Sequence, residues 1–116
     1  MSGRGSRVPR PATGEQWQLR FSKNQAAKTW EQWANSHGEV LARCYDQFTD
    51  EPRQSSDRHH QLRGKDYATG VLKGKTLDRW QHEVTGAGRV WALIDDETKT
   101  VWVEAVFPGH PSQTDT

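Results

Sequence analysis

The residues in this chain that could do chemistry are basic and imidazole groups in its second half. They are His59 or His60, Lys73, Lys75, Arg79, His82, Arg89 and His110. A histidine near its ordinary pKa can take or give a proton at neutral pH. Lysine and arginine stabilise developing negative charge. Together they suit cleavage of RNA without a metal. A proton leaves a 2′-hydroxyl, a crowded phosphorane dianion is held, and the departing 5′-oxygen is protonated, each proton transfer contributing ~10²–10⁴-fold. Trp91 or Trp102 could stack on a base, for roughly 1–3 kcal/mol. For any one histidine an exposed or core-satisfied ring is the commoner role, so the set carries the reading.

Other chemistries lack their residues. There is no nucleophile elbow, P-loop, Gly-rich dinucleotide turn or HExxH. Cys44 is alone, which excludes a disulfide framework and a cysteine zinc site. His59 and His60 are adjacent and cannot by themselves close a metal site. No metal and no cofactor are expected.

Charge supports a phosphate partner through its distribution rather than its total, which is +1. Residues 53–89 hold eight Lys/Arg against four Asp/Glu, whereas residues 90–116 hold one lysine against five acids. A basic middle beside an acidic end fits local contact with phosphate; a solvated loop with chance clustering is the alternative. No apolar run approaches the ~18 residues of a membrane span, and no signal-peptide core is present. A cytoplasmic protein with no membrane partner is expected.

The positioning elements follow from periodicity. At 116 residues and 32% apolar, the chain has room for one domain with a thin core fed by six tryptophans. The expected boundaries are a disordered basic tail over 1–14, one domain over 15–111 and a flexible end over 112–116. Gln16–Phe21 alternates as a first strand. Two S-x-x-[QE] capping boxes, at Ser22–Gln25 and Ser36–Glu39, precede helical stripes through Trp30 and Trp33 and then Leu41, Cys44 and Phe48. Two helices with a minimal link read as an antiparallel hairpin. Arg53–Lys75 reads as a basic loop anchored by Leu62 and Tyr67–Leu72. Leu77–Val84, Arg89–Asp95 and Lys99–Phe107 then form a three-stranded antiparallel meander. The fold class is α+β: strand, two-helix hairpin, meander.

In the meander Val90, Ala92 and Ile94 share one face, as do Val101, Val103, Ala105 and Phe107, making an apolar wall for the helices to cover. If the Thr85–Gly88 turn closes as a four-residue loop, His82, Arg89, Trp91 and Glu104 share the uncovered face. A slip of one residue reverses that for the first strand.

This order of elements, with Leu72-Lys73-Gly74, Trp80-x-x-Glu83-Val84, Gly88-Arg89-Val90-Trp91 and the terminal Gly109-His110-Pro111, resembles the RelE/ParE superfamily of toxins from type II toxin–antitoxin pairs. The resemblance covers about Gln16–His110. It implies a metal-independent, ribosome-dependent mRNA endonuclease that attacks through the 2′-hydroxyl, inhibits translation and arrests growth. It also implies a cognate antitoxin, usually DNA-binding, and contact with the ribosome and mRNA. By the same likeness Arg89 stabilises phosphate, and His60, His82 and His110 hold the catalytic histidine places. The likeness also implies that Lys73, Lys75 and Arg79 bind substrate, and Trp91 joins them as the expected base-stacking ring. The family's frequent C-terminal tyrosine is missing, since nothing aromatic follows Phe107. A ParE-like toxin that blocks DNA gyrase without chemistry, and a non-toxic binding module on the same fold, are the alternatives.

Overall fold

A computed structural model describes residues 4–5, 11 and 14–109. The chain runs β1 (Gln18–Phe21), α1 (Asn24–Asp50), β2 (His59–Gln61), β3 (Thr69–Leu72), β4 (Lys75–Glu83), β5 (Arg89–Asp95) and β6 (Thr100–Phe107). One sheet takes all six strands in the order β1-β6-β5-β4-β2, with β3 also paired to β4. β1 lies parallel to β6, and every other pairing is antiparallel.

This corrects the expected two-helix hairpin followed by a three-stranded meander. The helical region is one element, bent at His37, whose backbone leaves helical geometry (φ −128°, ψ 39°). No spare residues separate the two apolar stripes, so helical hydrogen bonding resumes within a residue. Neither capping box forms as read. Lys23 occupies the N-cap without a side-chain bond, while Ser22 Oγ donates to the Val103 carbonyl of β6. Ser36 Oγ is 2.8 Å from His37 Nδ1, at the bend itself. The bend has a clear consequence. A straight helix of this length would run about 40 Å, yet both ends sit close to the four-residue β1: α1 starts just past Phe21, and Trp17 N–H donates to Thr49 O at 2.8 Å.

The expected loop over Arg53–Lys75 is the second correction, because it contains β2 and β3. At three and four residues they are too short to show alternation. They form because β4, nine residues long, offers one edge to both, β2 along its C-terminal half and β3 along its N-terminal half.

The core lies between α1 and one face of the sheet. Ala26, Trp33, Leu41, Cys44 and Phe48 pack on Trp80, Val84, Val90, Ala92, Ile94, Val101, Val103 and Val106. The helical stripes do cover the Val90/Ala92/Ile94 wall. Two details of register depart from the alternation read along the chain. Val84 N–H donates to Gly88 O, so the turn closes one residue tighter and pairs Glu83 with Arg89, Gln81 with Trp91 and His82 with Val90. In addition, Trp91 pairs with Ala105 but Ala92 with Val103, a bulge that leaves Glu104 unopposed. A bulge inverts facing beyond it, so Val106 joins the core while Phe107 turns outward.

Candidate functional site: the open face of the sheet

The slip and the bulge decide which side chains meet on the face away from α1. Three cross-strand rows result: Glu83, Arg89 and Phe107; His60, Gln81, Trp91 and Ala105; Arg79, Leu93 and Trp102.

In the first row the Arg89 guanidinium closes the adjoining turn. Its Nη1 donates to the carbonyls of Thr85, Gly86 and Gly88 at 3.3, 3.2 and 3.0 Å, and Nη2 lies 4.0 Å from Glu83 Oε2. It remains partly exposed. Gly88 is required here, since a Cβ on it would sit 2.4 Å from Trp33 Cη2.

The second row holds an aromatic cluster. Trp91 Nε1–H donates to Gln81 Oε1 at 2.9 Å, which fixes the indole. Phe107 and Tyr67 meet it edge-on at centroid distances of 5.1 and 6.1 Å. Tyr67 is 55% exposed and Phe107 42%, so with Trp91 they form a contiguous aromatic surface open to solvent. Strand alternation alone places Trp91 here, whereas it leaves Tyr67 as an anchor of the loop and Phe107 on the apolar wall. The bulge explains the second miss. The only signal for Tyr67 was an aromatic ring in a stretch otherwise rich in lysine, arginine and glycine. His60 sits at the end of this row, half-buried, with Nδ1 3.3 Å from the Gln61 carbonyl.

In the third row Arg79 grips Glu104, Nε to Oε1 at 2.6 Å and Nη2 to Oε2 at 3.2 Å, with both side chains largely covered. Arg79 Nη1 also donates to the carbonyls of Asp66 and Tyr67. Lys73 holds a left-handed backbone (φ 53°) in the β3–β4 turn beside Gly74 (φ 79°), and its Nζ stands 4.9 Å over the Trp102 ring. Lys75 leaves the face. It binds Asp95 at 2.8 Å and Glu97 at 2.9 Å. Those hydrogen bonds raise the Lys75 pKa, and Lys75 in turn lowers that of Asp95. Arg58, Arg63 and Lys65 are exposed and make no ion pair among the described residues.

His82 is not on this face. It lies under α1 against His59, Nδ1 to Nδ1 at 3.0 Å, and Phe48 stacks near both rings. His59 Nε2 is 2.7 Å from the Pro52 carbonyl. A carbonyl only accepts, so His59 carries its proton on Nε2 and leaves Nδ1 bare. His82 must then donate through Nδ1–H. Burial pushes the His82 pKa down to about 4, with His59 and Arg58 adding to the shift. Burial also lowers that of His59. Both shifts favour the neutral form of the pair. Beside it a cavity of about 720 Å³ opens between the second half of α1 and β4, bordered by Arg43, Asp50, Arg58, His82 and Glu83.

Of the sequence-derived site residues, the sheet gathers His60, Trp91, Arg79, Arg89 and Lys73 on one face and separates His82 and Lys75 from them. His110 lies outside the described residues. Among the described residues no group of three His, Cys, Asp or Glu could hold a metal ion, and no helix is long and apolar enough to cross a membrane.

The fold of this chain is RelE-like. The chain is similar to RelE in the archaeal RelE–RelB complex from Pyrococcus horikoshii OT3, with a TM-score of 0.57 and 17% identity over 79% of this chain and 93% of that one. It is also similar to a mutant of the E. coli toxin RelE in the free state, with a TM-score of 0.50 and 20% identity over 86% of this chain and 88% of that one. No protein-family profile matches the sequence, and no curated protein matches it significantly.

Proposed function

We propose that this chain is the toxin of a toxin–antitoxin pair and that it cuts mRNA in the ribosome with the open face of its sheet. The observation that carries the reading is the cluster of Tyr67, Trp91 and Phe107 on the side α1 leaves bare. Single-stranded RNA is held by stacking on such rings together with nearby cations, here Lys73 and the exposed Arg63 and Lys65.

Catalytic duty falls on Arg89, His60 and His110. Arg89 opens β5 at the edge of the aromatic cluster, where a guanidinium can stabilise the phosphorane. His60 shares the Trp91 row, and His110 follows by three residues Phe107, the backbone partner of Arg89. His82, on the opposite side of the sheet against His59 and α1, is left out of this assignment. The partners are a cognate DNA-binding antitoxin, the ribosome and mRNA, all in the cytoplasm.

A second reading, a ParE-like toxin that inhibits DNA gyrase without chemistry, is favoured by one observation: the guanidinium of Arg79 and the ammonium of Lys75 are already held by acids of the same chain. Tightly controlled expression in a bacterium, followed by mapping of RNA 5′ ends, separates the two. The first reading expects growth arrest with codon-phased cuts inside translated frames, relieved by Arg89→Ala in a folded protein. Arrest with intact messages and damaged DNA selects the second. Normal growth at high expression rejects both.

A further inference from the structure

The Arg79 guanidinium has five N–H groups, and four have internal acceptors: Nε and one from Nη2 on the two Glu104 oxygens, both from Nη1 on the carbonyls of Asp66 and Tyr67. The backbone of the same residue holds both ends of the intervening segment. Arg79 N–H donates to Ala68 O at 2.8 Å, and Leu62 N–H donates to Arg79 O at 2.9 Å. Residue 79 therefore grips segment 62–68 at its entry, near its crown and at its exit. The strand opposite makes room for this: a Cβ on Gly70 would stand 2.5 Å from Arg79 Nη2, so only glycine leaves the guanidinium its place.

The held segment bears the charges and the ring that face outward. Arg63 and Lys65 are exposed and without ion pairs among the described residues, and Tyr67 leans on Trp91. An arriving phosphate would have to break the fork on Glu104 to reach Arg79, two charge-assisted bonds in a largely covered site. Arg63 and Lys65 ask for no such exchange.

We propose that Arg79 is a positioning residue: through Glu104 it latches segment 62–68 against the open face, so that Arg63 and Lys65, and not Arg79, present positive charge to RNA phosphate. The RNA half of this rests on the functional reading above; the latch does not.

The experiment uses the full-length chain and two readouts. One is the rate of trypsin cleavage after Arg63 and Lys65, with amide exchange at Tyr67 and Ala68. The other is the affinity and salt dependence for a short fluorescein-labelled, 2′-O-methylated single-stranded RNA, which cannot be cut. Arg79→Lys keeps the charge but cannot form the fork, and it is expected to raise loop cleavage about tenfold, the effect of one lost charge-assisted bond on local opening. Gly70→Ala displaces the guanidinium from the other side and should do the same with Arg79 intact. Joint Arg63→Ser and Lys65→Ser replacement should weaken RNA binding and lower the salt slope by about 0.7 per lost phosphate contact. Folding of each variant is checked by urea unfolding.

Unchanged loop protection in both Arg79→Lys and Gly70→Ala overturns the latch. Wild-type RNA affinity in the doubly substituted chain, or RNA binding lost in Arg79→Lys while the loop stays protected, overturns the assignment of the phosphate contacts. A wild-type chain that binds no RNA overturns that assignment together with the functional reading, and the protection experiment then decides the latch alone.

Discussion

Acidification should loosen this fold through the His59–His82 pair at a pH well above the range where Asp95 takes up its proton. Both imidazoles are neutral in the folded protein because burial disfavours their charged forms, and both charge freely once unfolded. The unfolded chain therefore binds more protons below pH 6.5, and stability rises with pH through that window. The contribution is complete above pH 6.5 and is lost as pH falls toward about 4, where native His82 also protonates. At about 1.4 kcal/mol per pH unit, the drop in the His82 pKa from 6.5 to about 4 corresponds to about 3 kcal/mol at most. About 2 kcal/mol of it falls between pH 6.5 and about 5, and His59 adds in the same direction. Urea unfolding at closely spaced pH values would measure this in the wild type and in His82→Asn, whose amide can still donate to His59 Nδ1. The variant should be less stable near neutrality but show a shallower loss on acidification. Equal slopes in the two proteins would refute the reasoning, since the pair would then not be the titrating element.

Four further outcomes are expected. Gly88→Ala should destabilise by about 1–3 kcal/mol in urea unfolding, because the new methyl collides with the buried Trp33 ring and neither backbone nor indole can yield. Trp91→Ala should weaken binding of single-stranded RNA by roughly 1–3 kcal/mol with little change in salt slope, as a stacking loss does; a changed slope would point to a charge effect instead. Lys75→Met should remove the support that Lys75 gives the Asp95 carboxylate. That support is present above pH 3.8 and fades below it, so the variant and wild type should converge in stability at low pH. Arg89→Ala should loosen the 85–88 turn, seen as faster amide exchange at Gly88, and should relieve growth arrest if the toxin reading holds.

Local patterning made much of this fold readable. The strands of residues 75–107 and the apolar stripe through Trp33, Leu41, Cys44 and Phe48 follow from β-propensity and helical spacing, and both were visible in the residues alone. What escaped was set by partners distant in the chain. Whether His82 faces solvent or core turns on a single hydrogen bond between Val84 and Gly88, which no alternation pattern reveals. The outward turn of Phe107 depends on the bulge at Glu104, and that residue is held by Arg79 from two strands away. β2 and β3 carry no signal of their own because the unpaired edge of β4 calls them into being. The basic residues were legible as a group, but sequence could not say which already had acids of the same chain to bind.

The pairing of Gln18 with Thr100 bears on how the molecule comes into existence. About 80 residues separate these partners, so the first strand emerges from synthesis with nothing to align against until nearly all of the chain has followed it. Hairpins β4–β5 and β5–β6 can zip early through neighbours in sequence, but closure of the N-terminal strand demands a long loop and a late entropy loss. A nascent or prematurely terminated chain ending before Thr100 thus lacks β6, the strand that seats Leu19 on one side and pairs with β5 on the other. Such fragments should be proteolytically fragile, and only a translation product carried through β6 can complete the sheet.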